Sequence, residues 1–115
     1  METTEMITRI QDTFKNWVGG HLIIEKIENE DVDKTIMLLE GITFLQNGEQ
    51  IDHYTDSTLL QLQGEGKIIS EEDTVPLPHS SFDIQLEGLM NINQVEDGLT
   101  ITTERANYTI TYNSN

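Results

Sequence analysis

Apolar residues recur at three- and four-residue steps over Thr4–Val18, where Met6, Ile7, Ile10, Phe14, Trp17 and Val18 fall on one face of a helix. Thr3 or Thr4 offers a hydroxyl to the first turn, and Glu5 suits the positive end of the helix dipole. Gly19-Gly20 stops the helix, since glycine accepts the left-handed conformation common at helix ends. The apolar face needs a sheet to lie on, with Phe14 and Trp17 as its anchors.

After Gly20 the period changes to two. Strands are predicted at His21–Ile27, Lys34–Leu45, Gln50–Tyr54, Thr58–Ile69, Phe82–Val95 (interrupted), Leu99–Thr103 and Asn107–Tyr112. Asn47-Gly48 and Asp97-Gly98 read as hairpin turns, because both residue types tolerate positive φ. The alternation is cleanest towards the end of the chain. There Phe82, Ile84, Leu86, Leu99, Ile101, Tyr108, Ile110 and Tyr112 point one way, while Asp83, Glu87 and the threonines point the other.

Strand Lys34–Leu45 differs, since Ile36 and Leu38 alternate with Met37 and Leu39, and both of its faces want cover. The helix, the rest of the sheet or a partner chain would provide it. Three long strand stretches carry internal glycines: Gly41, then Gly64 and Gly66, then Gly88. Glycine permits a sharp bend or bulge, so their repetition predicts a sheet coiled around its own core; the plainer alternative is that each glycine ends a shorter strand. Ser70 to Ser81 is the one substantial loop, stiffened by Pro76-Leu77-Pro78. Fourteen isoleucines and fourteen threonines beside the lone Ala106 favour β-structure.

The expected architecture is a single α+β domain covering residues 1–115. One N-terminal helix (4–18) packs on a strongly curved antiparallel meander (21–112) of roughly six to eight strands, open or partly closed into a barrel. The order of a helix, Trp17-Val18-Gly19-Gly20 and a meander resembles small lipocalin-type barrels, and cystatin-like folds also set one helix ahead of a curved sheet. The likeness is one of element order and carries no ligand residue across.

Charge narrows the function. The chain has 21 acidic and six basic side chains, a net charge of −15. Direct binding to nucleic acid or to an anionic membrane is not expected, because both need clustered Lys and Arg. There is no cysteine, which removes disulfides, thiol catalysis and thiolate-bound metals. No signal peptide and no span of ~20 apolar residues is apparent, so a cytoplasmic location is expected.

Chemical motifs are sparse. Asn29, Asp31, Asp33, Ile36 and Glu40 are spaced like an EF-hand calcium loop, but Lys34 stands where that loop needs its glycine, which favours an acidic hairpin turn. His21, His53 and His79 lie in separate segments without ligand spacing. His53 and Asp56 lack a nucleophile, and Gly64-Glu65-Gly66 lacks the lysine and helix of a phosphate loop. No enzyme activity, cofactor or metal is expected.

Eight acids fall between Ile68 and Glu104 without one Lys or Arg. The leading expectation is a non-enzymatic protein that engages a basic protein surface through Glu71, Glu72, Asp73, Asp83, Glu87, Glu96 and Asp97. In its sharpest form it inhibits a nucleic-acid-binding protein by charge mimicry. The bland reading of the same acids is solubility. An alternative is a small barrel binding an apolar molecule, lined by Trp17, Phe44, Leu60, Leu62, Phe82, Ile84, Met90, Ile101, Tyr108 and Tyr112. A further alternative is a structural subunit of an oligomer, motivated by Ile36–Leu39.

Overall fold

The helical spacing is realised as α1, Thr3–Trp17, whose Met6, Ile7, Ile10, Phe14 and Trp17 are all buried. The computed structural model describes residues 2–46, 49–50, 58–69 and 74–113. Glu2 takes the N-cap position without a side-chain hydrogen bond, ahead of the Thr3 or Thr4 that the sequence suggests. Thr4 is already inside the first turn, where its carbonyl accepts from the Thr8 hydroxyl at 2.9 Å. Val18 leaves the apolar face and is 45% exposed, because the chain turns away at Gly19 with φ 98°.

Among the described residues eleven strands follow: β1 (His21–Glu28), β2 (Asp31–Leu38), β3 (Gly41–Gln46), β4 (Glu49–Gln50), β5 (Leu59–Gln63), β6 (Gly66–Ile69), β7 (Thr74–Pro76), β8 (Ser81–Gln85), β9 (Leu89–Val95), β10 (Gly98–Thr103) and β11 (Asn107–Asn113). The count exceeds the expected six to eight because each glycine-bearing stretch bends and changes sheet. A seven-stranded sheet runs β7-β6-β2-β1-β11-β10-β9, and a four-stranded one runs β4-β3-β5-β8. All pairings are antiparallel, but strand order departs from a simple meander, since β1 sits between β2 and the C-terminal β11. The sheet does not close into a barrel. Asn47-Gly48, most of the predicted strand Gln50–Tyr54, and Glu71, Glu72 and Asp73 lie outside the described residues.

The bends have a clear backbone cause. At Leu39-Glu40 the chain passes from β2 to β3, and at Gly64-Glu65 its partner passes from β5 to β6. Hydrogen bonds continue round this corner, from Leu38 N–H to Glu65 C=O at 2.9 Å and from Glu40 N–H to Gln63 C=O at 2.8 Å. Leu39 exchanges two more with the helix exit, donating to Gly20 and accepting from Gly19. Gly64, at φ 150°, lies so close to the Leu38 carbonyl that a Cβ there would overlap it. Only glycine lets the two strands meet at this angle.

The bend cups the helix. One core joins Ile7, Ile10 and Phe14 of α1 to Leu22, Ile24, Leu60, Leu62, Ile84 and Ile101 of the strands. Trp17 stacks on Tyr112 with ring centroids 5.2 Å apart, and Phe14 meets Trp17 edge-on at 5.7 Å. Gly20 leaves room for that stack, because a Cβ at this position would run into the Tyr112 ring. The two-sided strand resolves in the same terms. Met37 and Leu39 are buried in the core, while Ile36 and Leu38 are half-buried.

Gly64→Ala is expected to cost about 2 kcal/mol or more, through positive φ and the collision with Leu38. Gly19→Ala, where a Cβ meets nothing within 4 Å, should cost only roughly 1 kcal/mol. Urea unfolding of the two variants checks the order; equal losses would mean that the corner tolerates a side chain.

Candidate functional site

The described members of the expected acidic patch fall on β8 and on the turns either side of β9, while Glu71, Glu72 and Asp73 lie outside the described residues. Asp83 lies exposed on β8, where the Gln61 side-chain amide donates to it at 3.4 Å. Glu87 is exposed in the turn entering β9, and Glu104 packs near it against Gly88. Glu96 and Asp97 form the turn leaving β9. The seven residues of β9 span roughly 23 Å of strand, so Glu87 and the Glu96–Asp97 pair bracket it at opposite ends. None of these five carboxylates pairs with a described Lys or Arg.

Between those ends β9 reads Leu-Met-Asn-Ile-Asn-Gln-Val, with no charge and no proline. It is the edge of the larger sheet and, among the described residues, pairs only with β10. Its side chains follow an interrupted alternation. The register shifts between Thr102 and Thr103, so Leu89 is buried while Met90 is 62% exposed. Met90 is therefore no lining residue of an interior. Val95 is similarly exposed at 61%. Beside this edge runs a groove of about 510 Å³ lined by Arg9 of α1 and by Ile92, Asn93, Gln94, Val95 and Glu96. Helical spacing sets Glu5 and Asp12 on the same face as Arg9, and both are exposed.

The turn chemistry differs from expectation. Asp97 and Gly98 both keep negative φ, and Gly98 already belongs to β10. Positive φ falls instead at Asn29 (49°) and Glu30 (74°), the turn between β1 and β2. The calcium-like spacing is thus an acidic hairpin. Asp31 lies opposite Glu28, and Asp33 lies opposite Lys26. Of the histidines, His21 and His79 are exposed in separate segments and His53 lies outside the described residues. No group of three or more His, Asp or Glu among the described residues is placed to hold a metal ion.

The expected ligand-lining residues mostly lie in the buried core. Trp17, Phe44, Leu60, Leu62, Ile84, Ile101 and Tyr108 belong to the cluster packed around the helix, and Phe82 and Tyr112 lean on it half-buried. Sequence reasoning missed a small polar pocket at the end of β1, β10 and β11. It measures about 70 Å³ and is lined by Lys26, Glu28, Gln85, Thr103, Arg105 and Tyr108. Glu28 pairs there with Lys26 at 3.4 Å and Arg105 at 3.9 Å, using two of the six basic residues. Lys26 also sits over the Tyr108 ring, 5.8 Å from its centroid. Alternation in β1 places Lys26 on the core face, the one signal in the chain that pointed here.

These features define a helix-filled, sharply bent antiparallel sheet with a strongly acidic surface and a long open edge. No described helix is long and apolar enough to cross a membrane. The chain belongs to the YmzB-like protein family, whose profile matches residues 3–115. It is similar to the uncharacterized protein YmzB of Bacillus subtilis, with 32% identity over 109 residues covering 90% of this chain and 92% of the relative. No solved structure matches the chain.

Burial raises the pKa of the Tyr108 phenol above its ordinary 10.0, against the opposing pull of the Lys26 charge and a hydrogen bond from the Gln85 main chain. The unfolded chain loses this proton at lower pH than the folded one. The stabilisation is therefore complete below about pH 10 and declines as pH rises towards the folded value, by at most about 1.4 kcal/mol per pH unit. Tyr108→Phe should flatten that alkaline decline in urea melts taken across the range; an unchanged slope would assign it to other groups.

Proposed function

We propose that the protein is a non-enzymatic binding protein that engages a basic protein surface. In its sharpest form it inhibits a nucleic-acid-binding protein by presenting carboxylates where that protein expects phosphates. A cytoplasmic location belongs to the same proposal. The observation that carries it is the placing of Glu87, Glu96 and Asp97 at the two ends of an uncharged, exposed strand, on a chain of net charge −15.

The physical argument is one of balance. Six Lys and Arg cannot neutralise 21 carboxylates, and Lys26 and Arg105 already share Glu28. The remaining field attracts cations and repels acidic macromolecules over a distance set by salt, about 8–10 Å at physiological ionic strength. A basic partner gains both a faster encounter and the release of repulsion between the carboxylates. The sharp bend supports this reading too, since it fills the interior with Phe14 and Ile10 and leaves the surface for recognition.

Affinity capture from the native host at low salt, with identification by mass spectrometry, should retain a basic protein that high salt releases. With that partner in hand, reversing Glu87, Glu96 and Asp97 to lysine should slow association roughly tenfold at low salt and weaken its salt dependence. Reversal of Glu71, Glu72 and Asp73 is expected to act in the same direction. Association rates that ignore both sets of changes would defeat the proposal, as would a retained partner that is acidic.

A further inference from the structure

Open sheet edges are usually defended, because their free N–H and C=O groups invite another strand. Two of the described edges of this molecule show such defences, and one does not. At the far side of the larger sheet, β7 ends in Pro76. In the smaller sheet, β8 carries the exposed Asp83 while its Gln85 N–H is taken by the Tyr108 hydroxyl. By contrast, β9 has seven residues, no proline and no charge.

The register shows which groups it offers. Tyr112 N–H donates to Asp97 C=O at 2.9 Å, which makes Gly98 face Thr111 as a non-hydrogen-bonded pair and turns its own main-chain groups towards Val95. Counting back along the ladder, Val95, Asn93 and Asn91 bond to β10. The N–H and C=O groups of Gln94 and Ile92 therefore point outward, away from β10.

We infer that the outer edge of β9 receives an extended segment of the partner as an eighth strand of the seven-stranded sheet. The inference rests on the basic-partner reading above and names how that partner is held. Charge selects the occupant. Glu87 stands at one end of the edge and Glu96 with Asp97 at the other, so the incoming segment has a neutral, β-branched middle and Lys or Arg at both flanks. A second copy of this chain fits poorly. Antiparallel pairing of β9 with itself about Ile92 brings Glu87 of each copy against Asp97 of the other, at both ends of the joint.

A synthetic peptide, Lys-Lys-Thr-Val-Thr-Val-Thr-Lys-Lys, titrated into the isotopically labelled full chain tests this by amide shifts and hydrogen exchange. The Gln94 and Ile92 amides should become protected. A peptide N-methylated at alternate residues, which keeps its charge but not its edge, should bind about tenfold more weakly. Gln94→Pro should do the same, since it removes an outward N–H that the ladder does not use. The N-methylated peptide against the unaltered chain carries the test should that variant misfold.

Salt-sensitive binding that leaves the β9 amides unprotected would overturn strand addition while keeping the basic-partner reading. Equal protection by a peptide with Glu at its flanks would overturn the basic partner itself. Protection of β9 that grows with protein concentration and needs no peptide would make a second copy the occupant and overturn the proposal. No protection at any peptide concentration would also sink it.

Discussion

The fold depends on one crowded approach, Gly64 against the carbonyl of Leu38. A hydrogen-bonded pair of strands cannot turn a corner unless one chain comes nearer to the other than a side chain allows. Here it does so, and the main-chain groups on both sides of the corner keep partners: Leu38 with Glu65, Glu40 with Gln63, and Gly64 with Ser80. Leu39, at the apex, is held by the two bonds it exchanges with Gly19 and Gly20. The same residues that end the helix thus fix the angle between the sheets. A buried corner left without those bonds would forfeit roughly 1–3 kcal/mol for each unpaired group.

From that corner the rest follows in order. The bend makes a concave face, and the concave face takes the apolar stripe of α1. Trp17 locks the helix end to the last strand through its stack on Tyr112, which Gly20 makes possible. Apolar side chains gather inside, and the charged groups lie at the surface and at the sheet margins. Acids dominate the first, and β9 is the long unguarded part of the second. Placing both in one region turns an excess of charge into a pattern with two poles and a neutral centre.

Several of these features were legible from spacing alone. The face of α1 and the change of period after Gly20 need only neighbouring residues, and the glycines at 41, 64, 66 and 88 marked three of the four places where the chain leaves one sheet for the other, the fourth being the glycine-free turn between β7 and β8. The acidic hairpin at Asn29-Glu30 was legible as well, because Lys34 excluded the calcium loop. Other features were not. Met90 follows the alternation of its strand on paper, yet the register shift opposite Thr102–Thr103 turns it outward. Glu87 and Glu96 lie nine positions apart, and a strand keeps them apart where a loop would have let them meet. Val18 fits the helical stripe but lies just past the point where the backbone departs from it.

By itself the sequence determined what local geometry controls: one amphipathic helix, alternating antiparallel strands, the sites of bending and a surface that must be acidic. Side-chain periodicity and glycine conformation act over a few residues, so they can be read without knowing the neighbours. The tertiary structure decided which strands pair, and therefore that β1 lies beside β11 and that β9 is left with an open edge. Those choices join residues far apart in the chain. They are settled by closing long loops around one shared core, a balance that no local pattern contains.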